Sequence, residues 1–161
     1  MTPQDIAAIA DALLAAERDA STLPAITAAH PEFDVDDAYA VLARITQQRR
    51  AAGWEPVGRK IGFTNRTIWA RYGVDRPMWA PTWRQTVQHA TDGRAQLAVA
   101  HFVQPRIEPE VVFGLRAPVP AVDDARAILA AVDWIAPGFE IVQSHFPDWK
   151  FTAPDCTAAF G

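Results

Sequence analysis

The sequence predicts an α+β fold, on three observations. Helically spaced apolar residues dominate the first fifty positions, strand-like segments dominate the rest, and one helix signal interrupts those strands near residue 128. Thr2-Pro3-Gln4-Asp5 supplies an N-cap, a first-turn proline and an acid near the positive end of the helix dipole. Ile6, Ile9, Leu13 and Leu14 then keep helical spacing. "STLPAITAAHPEFDV" breaks that pattern and reads as a loop. Asp34, or an aspartate just after it, caps a second helix striped by Tyr39, Leu42 and Ile45, with Gly53 placed as its C-terminal cap.

Beyond Gly53, "EPVGRKIGFT" reads as a strand and "NRTIWARYG" as a short helix closed by Gly73. Pro77 and Pro81 mark residues 77–84 as a loop, and "TDG" at 91–93 as a turn between two short strand candidates. "RIEPEVVFGL" (106–115) is a strand, "DDARAILAAVDWI" a helix ended by Pro137-Gly138, and "FEIVQSHF" a further strand. The reading is one domain, with a helical region at 1–53 and a strand-rich region at 54–161.

Composition excludes several function classes. The chain has 161 residues, half of them hydrophobic and 21% charged, with net charge -4, which is enough for a real core. No basic run offers a surface for nucleic acid, and no apolar stretch is long enough to span a membrane. The Arg49-Arg50 pair reads as the solvated end of a helix. The single cysteine, Cys156, rules out an internal disulfide framework and fits a reducing cytoplasm, where it reads as a small packing residue.

The strand at 106–115 carries an anomaly. Side chains two apart in a strand share a face, so Glu108, Glu110 and Val112 lie on one side and Ile107, Val111 and Phe113 on the other. Either that side is a wet polar face or it holds something positive. Glu140, flanked by Phe139, Ile141 and Val142 in another strand, offers a third carboxylate. Three carboxylates converging from two strands would suit Mg²⁺ or Mn²⁺; zinc would call for histidine or cysteine, and His30, His89, His101 and His145 show no ligand spacing. His145 could approach Glu140, although a lone histidine at a strand end usually has no such role. Lys60, in "GRKIGFT", is either an ordinary surface lysine or a cation for a substrate carboxylate or a proton carrier; Lys150, in "DWKFT", poses the same choice. Pro109, lacking an N–H, suggests an unpaired or bulged point in its strand.

Three segments in order, "GRKIGFTNRTIWARYGVDRP", "QPRIEPEVVFGL" and "WIAPGFEIVQSHFPDWKFTAPD", resemble the hydratase/decarboxylase branch of the fumarylacetoacetate hydrolase superfamily. That branch includes 2-keto-4-pentenoate hydratases and 4-oxalocrotonate decarboxylases of aromatic catabolism. The resemblance implies a fold of N-terminal helices plus part of a mixed β-sandwich roll, incomplete because relatives continue further. It implies metal ligation by Glu108, Glu110 and Glu140, an active-site place for Lys60, and an aspartate counterpart in Asp155. The implied activity is that of a Mg²⁺- or Mn²⁺-dependent lyase on a small 2-keto or 2-hydroxydienoic acid. A 4-oxalocrotonate-type decarboxylase and an acylpyruvate C–C hydrolase are alternatives. A truncated, non-catalytic paralogue that binds a partner subunit is another, and a homo-oligomer stays open. Two departures bear on the substrate: Met78-Trp79-Ala80 stands where hydratases carry an aspartate in "DFG", and Ala158-Ala159-Phe160 replaces "ADN".

Overall fold

A computed structural model describes residues 1–160; Gly161 lies outside the described residues. Helix α1 spans Pro3–Arg18, and its capping box is reciprocal, with Thr2 and Asp5 each accepting from the other's backbone. Helix α3, Val35–Ala51, starts at Asp34, whose carboxylate accepts the Asp37 N–H, and ends before Gly53 at φ 86°. Between them the predicted loop contains a four-residue helix, α2, Ile26–Ala29. Leu13 of α1, Val41 and Ile45 of α3 and Phe146 pack into one core that closes over the C-terminal helix α6, Ala153–Ala158.

Strand β1, Pro56–Gly62, pairs antiparallel with β2, Met78–Trp83. The intervening segment forms a 3-10 turn and a short helix α4, Trp69–Tyr72, closed by Gly73 at φ 64°. Strand β2 corrects the loop expected at 77–84. A two-stranded sheet has only edge strands, and an edge tolerates Pro81, which lies opposite Arg59. Around the "TDG" turn the described residues form a single bridge, Thr91 with Arg94, in place of two strands.

At the open end of this sheet Glu55 and Arg84 form a fork of two hydrogen bonds at 2.6 and 2.7 Å. The Arg84 guanidinium holds the Glu55 carboxyl below its ordinary 4.5. A depressed folded-state value stabilises above the unfolded value and is lost as pH falls through the folded one. Arg84→Ala is therefore expected to lower the melting midpoint at pH 6 and to have little effect at pH 3, checked by calorimetry at both pH values.

Arg49 corrects the expectation of a solvated helix end. Its side chain is buried, its Nη2 donates to both Glu17 oxygens at 2.7 Å, and its guanidinium stacks within 4.6 Å of the Trp54 and Phe160 rings. Such a clamp fixes the end of α3 to α1 and to the start of the strand region.

Strand β3, Arg106–Leu115, pairs antiparallel with β4, Val132–Val142, and helix α5, Ala125–Ala130, lies between them in sequence. The predicted helix is thus shorter than expected. Val132, Trp134 and Ile135 belong to β4, and Pro137-Gly138 sit inside that strand instead of ending a helix. Register runs without interruption past Pro109, which faces Phe139; the irregularity falls at Gly114/Leu115. The chain divides into two compact units, one of residues 1–104 with the segment from Ser144 onward, the other of Pro105–Gln143.

Candidate metal centre

Cross-strand register explains how three glutamates meet. Glu108 lies directly opposite Glu140, and Glu110, two residues on, lies opposite Gly138. Directly opposed residues of an antiparallel pair project to the same face, so all three carboxylates stand on one side of β3–β4. One oxygen from each lies within 4.8 Å of the others. Glu108 and Glu110 are exposed and Glu140 half-buried. A Cβ at Gly138 would come within 2.8 Å of Val112 Cγ2, so this point of the strand pair takes no larger residue without a shift.

Like charges placed directly opposite one another destabilise a hairpin by up to about 1 kcal/mol. A divalent cation reverses the sign, because three carboxylate oxygens on one strand face are hard donors. No other group of three acidic, histidine or cysteine side chains gathers in this way among the described residues. The donor set therefore fits Mg²⁺ or Mn²⁺ and lacks the nitrogen or sulfur ligands of a zinc site.

The other residues expected at a site belong to the helical unit. Lys60 is half-buried and faces Ala80 across the sheet; Ala80 and Met78 on that side are buried, so this is the packed side of β1–β2 rather than a wet edge. Met78 is held there by the Thr157 hydroxyl at 2.6 Å. The opposite side carries Arg59, stacked 4.3 Å from the Trp79 ring. Lys150 is exposed and pairs with Asp148 at 3.3 Å.

Asp155 is fully buried and accepts four hydrogen bonds: from the Thr27 N–H and hydroxyl at 2.9 and 2.8 Å, and from the Thr152 N–H and hydroxyl at 2.9 and 2.7 Å. One carboxylate thus caps the starts of both α2 and α6. The sequence carried a signal for this: Thr152-Ala153-Pro154-Asp155 repeats the Thr-x-x-Asp spacing of Thr2 and Asp5. His145 is a core residue, its Nδ1 donating to the Ser21 carbonyl at 2.9 Å, and is buried away from solvent.

Three carboxylates on one strand face make a candidate divalent-metal site, and comparison with known proteins narrows the class of protein that carries it. No family model matches the chain. It is 34% identical over 147 residues to a 2-hydroxyhexa-2,4-dienoate hydratase of Comamonas testosteroni, covering 91% of this chain and 55% of that protein. It is 32% identical over 152 residues to a 2-hydroxypent-2,4-dienoate hydratase of Pseudomonas putida, covering 93% and 67%. A solved 4-oxalocrotonate decarboxylase from Pseudomonas putida G7, complexed with magnesium and adipate, shares the fold at TM-score 0.88 and 24% identity, over 99% of this chain and 60% of that one. The chain belongs to the hydratase/decarboxylase branch of the fumarylacetoacetate hydrolase superfamily. It spans little more than half the length of the first of these relatives.

Proposed function

We propose that the chain carries the metal-binding part of a divalent-metal-dependent lyase of the 2-keto-4-pentenoate hydratase type, acting in aromatic catabolism in the cytoplasm. The observation that carries this reading is the triad, three carboxylate oxygens within 4.8 Å on one strand face. Glu108, Glu110 and Glu140 would hold the cation, Mg²⁺ or Mn²⁺. When bound, it would supply Lewis-acid stabilisation of negative charge developing on the oxygens of a small 2-keto or 2-hydroxydienoic acid.

The chain's own residues have separate tasks. Glu108 and Glu140, held opposite each other by the strand register, orient the donor oxygens. Lys60, fixed on the packed side of β1–β2, serves as the cation for the substrate carboxylate or carries the proton moved in the reaction. Lys150, exposed on its turn, is proposed as an outer contact for an acidic substrate. Asp155 holds the α2 and α6 ends through its four hydrogen bonds; a catalytic part for it would have to act through that network.

A second reading, decarboxylation, draws on a 4-oxalocrotonate decarboxylase that is 34% identical over 136 residues. Both readings are tested by following the ultraviolet absorbance of 2-hydroxypenta-2,4-dienoate and CO₂ release from 4-oxalocrotonate, with Mg²⁺ or Mn²⁺ and with a chelator. Metal-dependent loss of the dienoate is expected, with Lys60→Ala slower by about 100-fold or more. Loss that persists in chelator would overturn the metal reading. CO₂ release without dienoate loss would select the decarboxylase. Turnover of neither acid would leave the chain as a non-catalytic subunit of the family.

A further inference from the structure

Both polar side-chain atoms of Gln104, and its carbonyl, are bonded to one turn of the chain. Its Nε2 donates to the Ser144 and Phe146 carbonyls, both at 3.0 Å, and its Oε1 accepts the Asp148 N–H at 2.9 Å. Its own carbonyl accepts the Trp149 indole N–H at 3.1 Å. Beside them the Ser144 N–H donates to the Val103 carbonyl at 3.2 Å. Three of these residues, Gln104, Asp148 and Trp149, hold a left-handed backbone at φ 51°, 57° and 57°. Aspartate tolerates that conformation, whereas glutamine and tryptophan rarely adopt it. Such residues persist only where their surroundings over-determine them, and they gather at positions that matter for function.

The place of this clamp in the chain says what it determines. Strand β3 begins two residues after Gln104, and β4 ends two residues before Ser144. Arg106 lies opposite Val142, so the same register, carried two residues further, sets Gln104 opposite Ser144. A strand pair needs its register specified, because a slip by one residue turns every side chain of a strand to the other face. In a tight hairpin the turn does this. Here β3 and β4 are joined through the long segment that holds α5, and the register breaks beside it, at Gly114/Leu115. From Gly114 back to Arg106 it is unbroken. The clamped end is therefore the end continuous with the glutamates.

We infer that Gln104 is a positioning residue for the carboxylate triad. By tying the entry of β3 to the exit of β4, it selects the register in which Glu108 faces Glu140. A slip by one residue would send Glu140 to the face opposite Glu108 and Glu110 and disperse the three oxygens. The consequence for a cation rests on the metal reading of these glutamates, whereas the register role does not.

Two measurements on the full 161-residue chain test this. The first reads register without metal: Glu108→Cys with Glu140→Cys, in a Cys156→Ala background so that these are the only two thiols. Directly opposed residues lie within disulfide reach, so oxidation is expected to cross-link them readily. The second is titration of Mn²⁺ into the chain with its native glutamates. Gln104→Glu keeps the shape and Oε1 but sets an oxygen against the Ser144 and Phe146 carbonyls. It is expected to slow cross-linking several-fold and to weaken Mn²⁺ binding about tenfold or more. Gln104→Asn keeps an amide and is tolerated at positive φ, but is one carbon short, and should show the same two losses in smaller degree. Val74→Ala, in a core patch that includes none of the clamp residues, should lower the melting midpoint and change neither readout. No cross-link with Gln104 intact, or wild-type behaviour of both Gln104 variants, would overturn the proposal. So would equal losses in Val74→Ala, or loss of helical circular dichroism in both Gln104 variants, which would make the clamp a support of the fold. Slow cross-linking in the Gln104 variants of a chain that never binds Mn²⁺ would instead overturn the metal reading and uphold the register role.

Discussion

Glu108→Gln is expected to raise the metal-free stability of the protein and to abolish the stabilisation that Mg²⁺ or Mn²⁺ confers. The two effects have opposite signs because one feature causes both. Glu108 stands directly opposite Glu140, with Glu110 two residues along the same face. Neutralising it relieves a cross-strand repulsion of up to about 1 kcal/mol. That amounts to about 2–4 °C in the melting midpoint of a chain this size. The same change removes one of the three anionic ligands proposed for the cation. Site affinity for divalent cations varies over decades with ligand charge count, so affinity is expected to fall by about 100-fold or more. Ligand-linked stabilisation scales as RT ln(1 + [L]/Kd), so a metal concentration that is 100 times the wild-type Kd yields about 2.7 kcal/mol for the wild type and a few tenths for the variant. Melting curves with and without Mn²⁺, beside direct titration of Mn²⁺, read both effects. Glu108→Lys provides the control: it places opposite charges across the strands and supplies no ligand oxygen. A variant that loses metal-free stability yet binds Mn²⁺ as well as wild type would show that the triad is a solvated polar face.

The triad shows how far the sequence could be read. The limits of the strand 106–115 were legible because alternation, a preceding loop and a following turn all agree. Its partner was visible only in part. The run Val132–Ile135 continues the apolar pattern of the preceding helix, and Pro137-Gly138 look like a stop, although both fit inside an edge strand. For the same reason β2 was hidden, since Pro81 reads as a loop residue until its place opposite Arg59 is known. That Glu108 faces Glu140 depends on a register that no local pattern encodes. The burial of Arg49 has no local signature, because it requires Glu17 and Phe160 from distant positions together with the nearby Trp54 ring. Lys60 is the intermediate case. Its strand was visible, but its orientation toward the packed side rests on Ala80 and Met78 in a strand that was not.

Asp155→Ala is expected to destabilise the helical unit about as much as truncating one of its large core side chains. The carboxylate is fully buried, and four donors converge on it from Thr27 and Thr152. Removing it strands two backbone N–H groups, each at about 1–3 kcal/mol, while the hydroxyls can rotate to other acceptors. The total, about 3–5 kcal/mol after allowing for relaxation, corresponds to a fall of roughly 6–20 °C in melting midpoint. Asp155→Asn sharpens the test because its shape is conserved. One carboxylate oxygen takes the Thr27 N–H and the other the Thr152 N–H, so whichever way the amide is turned its NH₂ confronts a backbone donor. Asparagine is therefore expected to fall between aspartate and alanine in stability, and Mn²⁺ affinity, which the proposed triad would supply from the other unit, should be unchanged in both variants. Turnover per folded molecule separates the two parts proposed for this residue. A structural clamp predicts that the asparagine protein, once folded, works at near wild-type rate. Full stability with turnover lost would instead place the carboxylate in the reaction.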